Sequence, residues 1–178
     1  MIRTLFLWFY CLPIPQAVLV IVLATGCFLM LNRRYETNRL WRKGLWGCCL
    51  LWLCIVLAMT LKDRSVSIIP AAPLLTPFHS YGEVLRGGTP EILRSNFMNV
   101  MLFYPGGLLL NTALPRRWKP WQRGLLIAVL CAAASTCIEV CQYFHCLGTA
   151  ETDDVIHNTL GAVLGAVACK IPLPFQKK

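Results

Sequence analysis

Glu139 and Gln142 stand inside an apolar run, GLLIAVLCAAASTCIEVCQYFHCLG, residues 124–148. A carboxylate at the centre of a bilayer costs ~2.5 to 3.5 kcal/mol on insertion scales. It therefore needs partners. At 100° per residue, Ala132, Ser135, Glu139, Gln142 and Cys146 form one helical stripe. A second run carries Asn96, Asn99, Phe103 and Gly107 on one face, and a third carries Asp154, Asn158, Gly161 and Gly165. The third run opens with Thr152-Asp153-Asp154. Thr152 or Asp153 suits a helix cap, and the acids suit the positive end of the helix dipole.

Three stripes thus bring amides and carboxylates to one depth. They define a candidate outward-facing pocket of Asn96, Asn99, Glu139, Gln142, Asp153, Asp154 and Asn158. Asparagine and glutamine also act as plain glue between helices, and that covers Asn96 and Asn158. Clustered carboxylates repel one another, so Glu139, Asp153 and Asp154 call for more. One must be protonated, or meet Arg94, Arg86 or a ligand cation. His157, one turn after Asp153, reads as an exposed helix-start histidine, with a role as base the sharper alternative.

The elements that must position these residues are membrane helices. Of 178 residues, 57% are hydrophobic and only 14% charged, against roughly 25% in a soluble domain. The mean hydropathy is +0.59. The expected fold is all-α, a transmembrane bundle of about five spans: Pro13 to Leu31, Gly44 to Leu61, Ile92 to Leu114, Gly124 to Leu147 and Val155 to Ile171. The apolar stretch TLFLWFYCL before the first either extends it or adds a crossing. A retained first span is expected over a cleaved signal peptide, because FLML continues the apolar run and a basic loop follows.

Pro105-Gly106-Gly107 falls mid-span, where proline removes a backbone hydrogen bond and glycine admits a neighbour. Gly161-x-x-x-Gly165 is a close-packing motif. With Phe103, these are the expected packing residues. The loop SIIPAAPLLTPF is apolar but broken by Pro70, Pro73 and Pro77, so it lies in the interface or packs over the helix ends. Gly87 and Gly88 then supply a turn.

The formal charge of +9 does not indicate nucleic acid, because the basic residues sit in short loops between apolar runs. Arg33, Arg34, Arg39, Arg42 and Lys43 follow the first span; Arg116, Arg117, Lys119 and Arg123 follow the third; Lys170, Lys177 and Lys178 close the chain. These loops are expected in the cytoplasm, and the 62–91 and 148–154 loops outside. The organisation expected is a two-span region over 1–62, a main membrane domain over 63–171 and a cytoplasmic tail over 172–178.

All 10 cysteines lie in or beside apolar runs and read as small apolar residues rather than a disulfide framework. Cys137, Cys141 and His145 share a helix face but lack a fourth ligand, so no metal site is expected, and no cofactor.

LTPF (75–78), NFMNVMLFYPGGLLLN (96–111), IEVCQYF (138–144) and TDDVIHNTLGAVLG (152–165) together resemble the VanZ-like family. The resemblance implies a bacterial cytoplasmic-membrane protein connected with teicoplanin resistance. It also implies that Asn99, Phe103, Pro105, Gly107, Glu139, Gln142, Asp154, Asn158 and Gly161 are signature positions. Many members carry an arginine shortly before the acidic pair, where this chain has LGTAE.

Three functions compete. The first is an envelope-facing protein whose pocket engages a cell-wall precursor or a lipophilic glycopeptide. The second is an enzyme using Glu139 as general acid or base with Asp154, on a lipid-linked or peptide substrate. The third is a small proton-coupled transporter. Against the third, the sequence suggests no inverted repeat and no polar residues in the inner half to complete a route.

Overall fold

The computed structural model describes residues 13–61, 71–89 and 91–170. The stretch 4–12, Pro70 and the tail from 171 lie outside them, and with them the question of an additional N-terminal crossing. Six helices follow in order: α1 (Ile14–Tyr35), α2 (Arg39–Leu61), α3 (His79–Leu85), α4 (Glu91–Ala113), α5 (Pro120–Phe144) and α6 (Thr152–Ala168). Among the described residues the only strand-like pairing is one isolated parallel bridge, Leu74 to Glu151. The chain is all-helical.

Local chemistry fixes the helix ends. Asn38 turns the chain between α1 and α2, its Oδ1 accepting from the backbone N–H groups of Leu40 and Trp41 at 2.8 and 3.3 Å. Pro120 opens α5, where its missing N–H costs nothing, and Gln122 reaches back to the Lys119 N–H at 2.9 Å. The turn expected at Gly87-Gly88 closes α3. Gly88 N–H bonds to the Glu83 carbonyl and Gly87 N–H to that of Val84, with Gly87 at φ 96°. This hydrogen-bond pair needs a left-handed residue, hence glycine.

α4 and α6 form the centre. A methyl group at Gly161 would lie 2.1 Å from the Val100 carbonyl oxygen, and one at Gly165 2.0 Å from that of Tyr104. From the other side, a methyl at Gly107 would lie 1.8 Å from the Ala162 carbonyl. The two backbones therefore touch, which is the approach a small-xxx-small pattern permits. Phe103, 1% exposed, meets the Trp52 ring edge-on at 5.6 Å. Gly106 faces Trp52 of α2, while Pro105 is exposed within α4. The Trp52 indole N–H takes the Leu102 carbonyl at 3.0 Å, beside the carbonyl that Pro105 leaves without its helical partner.

α1, α2 and α5 are long and apolar enough to cross a membrane. They turn large apolar side chains outward, among them Leu23, Leu50 and Leu125, as a bilayer requires. The two other expected spans do not meet that description. α6 has 17 residues, and α4 interrupts its apolar run with asparagines, Pro105 and two glycines. The physical reason lies in their position. They bury each other, so polar and small residues replace the apolar surface that lipid contact would demand.

The basic residues Arg33, Arg34, Arg39, Arg42, Lys43, Arg116, Arg117, Lys119, Arg123 and Lys170 all belong to one end of the bundle. The 71–89 segment, the start of α4, the end of α5 and the start of α6 form the other. All nine described cysteines are free, and Cys137, Cys141 and His145 lie exposed on α5 and at its end.

Candidate functional site

The polar residues of the three stripes are nearly all drawn inward. Asn96, Glu139, Gln142, Asp153 and Asn158 are buried, and Asn99 and Asp154 are half-buried. They divide into separate links between elements.

Asp153 makes the densest link. Its Oδ1 accepts from the Phe78 N–H at 2.5 Å, and its Oδ2 accepts from the Ser80 N–H and hydroxyl at 2.8 and 2.5 Å. Asn96 Nδ2 then donates to the Ser80 oxygen at 2.9 Å. The expected helix cap is thus redirected. α6 begins after Glu151 with no side-chain cap, and Asp153 instead caps the start of α3. Two backbone amides and a serine hydroxyl supply its compensation.

His157 is 3% exposed rather than an exposed helix-start residue. The 71–85 segment lies over it. Its Nδ1 is 2.6 Å from the Asp153 carbonyl oxygen, so Nδ1 carries the proton. In the neutral ring Nε2 then accepts from the Tyr81 hydroxyl at 2.8 Å. α3 is held twice, by Asp153 at its start and by His157 at Tyr81.

The remaining links join pairs of helices. Gln142 donates to the Thr60 carbonyl at 3.0 Å, near the end of α2. Asn158 donates to the Ser135 hydroxyl at 2.8 Å, tying α6 to α5, and its buried Oδ1 has no partner among the described residues. Asn99 donates to Asp154 at 2.6 Å, tying α4 to α6.

Glu139 makes a further link. Only 6% exposed, it accepts the Glu151 N–H at 3.0 Å through Oε2. It also borders a cavity of about 350 Å³ between α5, the start of α6 and the 73–75 segment. The walls include Pro73, Leu75, Val140, Tyr143, Phe144 and Val155 with Thr136 and Thr152, and among the described residues Glu139 and Glu151 are the only carboxyl groups that line it. Leu75 is exposed at its rim, as are Val140 and Phe144 on the apolar outer surface of α5. The volume falls within the range of small-molecule sites, ~300 to 1,000 Å³. Burial and the negative charges of Asp154, Asp153 and Glu83 raise the Glu151 carboxyl above its ordinary value of 4.5. Of the seven pocket residues expected from sequence, Glu139 alone lines this cavity.

The mouth is shaped by the segment before α3. Leu74 donates to the Ala150 carbonyl at 2.9 Å and accepts the Thr152 N–H at 3.0 Å. That second bond satisfies one of the orphan donors at the start of α6. The described part of the proline-rich stretch, 71–78, therefore packs over the helix ends.

These elements lie within a longer recognisable unit. A family model described as VanZ/LLP1 matches residues 45–173. The chain belongs to the VanZ/LLP1 family. The match runs from within α2 through the end of α6. It therefore takes in the Asp153 latch, the Glu139 cavity and the glycine contact of this VanZ/LLP1 protein. No curated protein and no solved structure matches the chain.

A second cavity stands at the basic end. There Asn32, Asn111 and Thr112 line a space of about 430 Å³ with arginines and a lysine. The half of the bundle at the basic end is thus not free of polar residues, contrary to expectation. Single asparagines inside apolar runs were the available signal. Between the two cavities stands an apolar core that includes Phe103, Ile127, Cys131 and Ala162.

Proposed function

We propose that this VanZ/LLP1 protein spans the bacterial cytoplasmic membrane five times, with α4 and α6 as the shielded central spans. Its Glu139 cavity faces the outer leaflet and receives an amphiphile, a lipid-linked cell-wall precursor or a lipophilic glycopeptide. The observation that carries this reading is a buried carboxylate, Glu139, in a largely apolar cavity that it shares with Glu151 and whose rim joins the outer surface of α5. An acyl or aromatic group suits the walls, and an amide or ammonium suits the carboxylate. The paired-carboxylate enzyme gains no support, because Asp154 is bonded to Asn99 and does not line the cavity.

Glu139→Gln keeps an acceptor for the Glu151 N–H but removes the charge. The variant is expected to accumulate in the membrane as the parent does. Cells carrying it should lose all protection against teicoplanin-type glycopeptides. Undiminished protection would remove the charge from the mechanism, and a parent protein without any protective effect would end the glycopeptide reading.

The orientation supporting this proposal follows from the basic end. An engineered cysteine at Thr37 should resist a membrane-impermeant thiol reagent added outside intact cells. One at Thr149 should react. The opposite pattern places the Glu139 cavity in the cytoplasm.

A further inference from the structure

The cavity at the basic end is built by four separate chain segments. Arg33 comes from α1, Arg116 from the α4–α5 link, Arg123 from α5 and Lys170 from beyond α6. One carboxylate, Glu36, joins them, and it is paired with Arg116. The Arg116 hydrogen bond holds the Glu36 carboxyl below its ordinary value, so Glu36 remains charged and committed to that pair. Glu36 also feels the charge of Arg33, and among the described residues it is the one acid lining the cavity, against four cations.

The neutral polar groups in the wall sharpen the chemistry. Asn32 Oδ1 accepts from the Trp41 indole N–H at 3.0 Å, which leaves Asn32 its NH₂ donors. Thr112 has spent its hydroxyl proton on the Leu108 carbonyl at 2.7 Å. Asn111 uses its Nδ2 on the Ala166 carbonyl at 2.9 Å. Asn111 and Thr112 have thus spent donors, so the donors left toward the cavity are those of Asn32 and of the cations. Arg123 reaches the Asn111 carbonyl through Nη1 at 3.3 Å, yet its Nε is buried without a partner among the described residues.

Basic residues near helix C-termini ordinarily serve the helix dipole. That role explains Arg33 and Arg34 at the end of α1. It does not explain a cavity of about 430 Å³ ringed by cations from four segments, or a buried guanidinium N–H left unused. Planar arginine donors match phosphate oxygens in pairs. We infer that this cavity binds a phosphate oxyanion, supplied by the headgroup of an anionic membrane lipid or by phosphate free in solution. Its position at the ends of α1 and α5, both apolar enough to cross a membrane, favours the lipid. The inference is independent of the Glu139 cavity at the other end.

The test uses the full chain in nanodiscs. One arm compares phosphatidylcholine discs with discs that also contain phosphatidylglycerol, reading retained lipid by native mass spectrometry. The other adds inorganic phosphate to the neutral discs, reading binding by calorimetry. Saturable binding in either arm is expected, weakening as salt rises. Arg123→Gln should weaken it roughly fivefold, and so should the exposed Arg33→Gln, whose folding is not at issue. Arg42→Gln, at the same end but outside the cavity, should leave it unchanged. Binding only in the phosphatidylglycerol arm assigns the site to lipid, and binding of phosphate in neutral discs assigns it to a soluble anion. Equal losses in all three variants, or no saturable binding in either arm, would overturn the site.

Discussion

Gly161→Ala is expected to destabilise the protein by about 3 kcal/mol, the upper range for inserting a methylene into a packed interior. Gly161→Leu is expected to prevent the folded protein from accumulating. The added methyl would stand 2.1 Å from the Val100 carbonyl oxygen and 2.8 Å from its carbon. A flexible side chain at that place would rotate aside. A backbone carbonyl cannot, so α6 would have to withdraw from α4. That withdrawal would also open the contacts of Gly165 with Tyr104 and of Gly107 with Ala162. Gly26 provides the comparison. It lies in α1 with no atom within 4 Å of an added methyl. Gly26→Ala should therefore be neutral or gain up to ~1 kcal/mol from helix propensity. Urea unfolding in mild detergent, read alongside membrane accumulation, compares the two. Similar stabilities for Gly161→Ala and Gly26→Ala would refute the backbone contact.

The same glycine pattern explains how much of the fold was legible. Gly161-x-x-x-Gly165 and Gly107 signal close approach wherever they stand in an apolar helix, and each meets a backbone here. Long apolar runs bounded by arginines and prolines likewise announce their helices. Partnership between polar residues was less legible. Asn96, Asn99, Gln142, Asp153 and Asn158 share depth and inward direction, which periodicity reveals. Periodicity cannot reveal that Gln142 meets Thr60, that Asn158 meets Ser135 or that Asp153 meets Ser80. Those pairings depend on rotations about helix axes and on a loop whose prolines give no repeat. The short helix α3 was invisible for the same reason. Its seven residues are too few to show a period, and it owes its start to a carboxylate 73 residues away.

That carboxylate carries the second large effect. Asp153→Ala is expected to cost roughly 3 to 4 kcal/mol, because it strips the partner from three donors at once. The Ser80 hydroxyl can rotate to another acceptor. The Phe78 and Ser80 amides cannot, since they open a helix that has no side-chain cap of its own. Asp153→Asn retains one acceptor oxygen and should lose about half as much. The damage should be local at first. Amides of α3 should exchange with solvent much faster, while those of α4 and α6 around the glycine contact remain protected. Tyr81 should loosen together with Phe78, although its link to His157 is not itself removed. Because Leu74 bonds to Ala150 and Thr152 at the mouth of the Glu139 cavity, release of this segment should open that mouth as well. Hydrogen exchange read by mass spectrometry on peptides covering 71–89 and 152–168 separates these outcomes. Unchanged exchange across 71–89 in Asp153→Ala would show that the segment is held without the carboxylate. Uniform acceleration in both peptides would make Asp153 a support of the whole bundle rather than the latch of one segment.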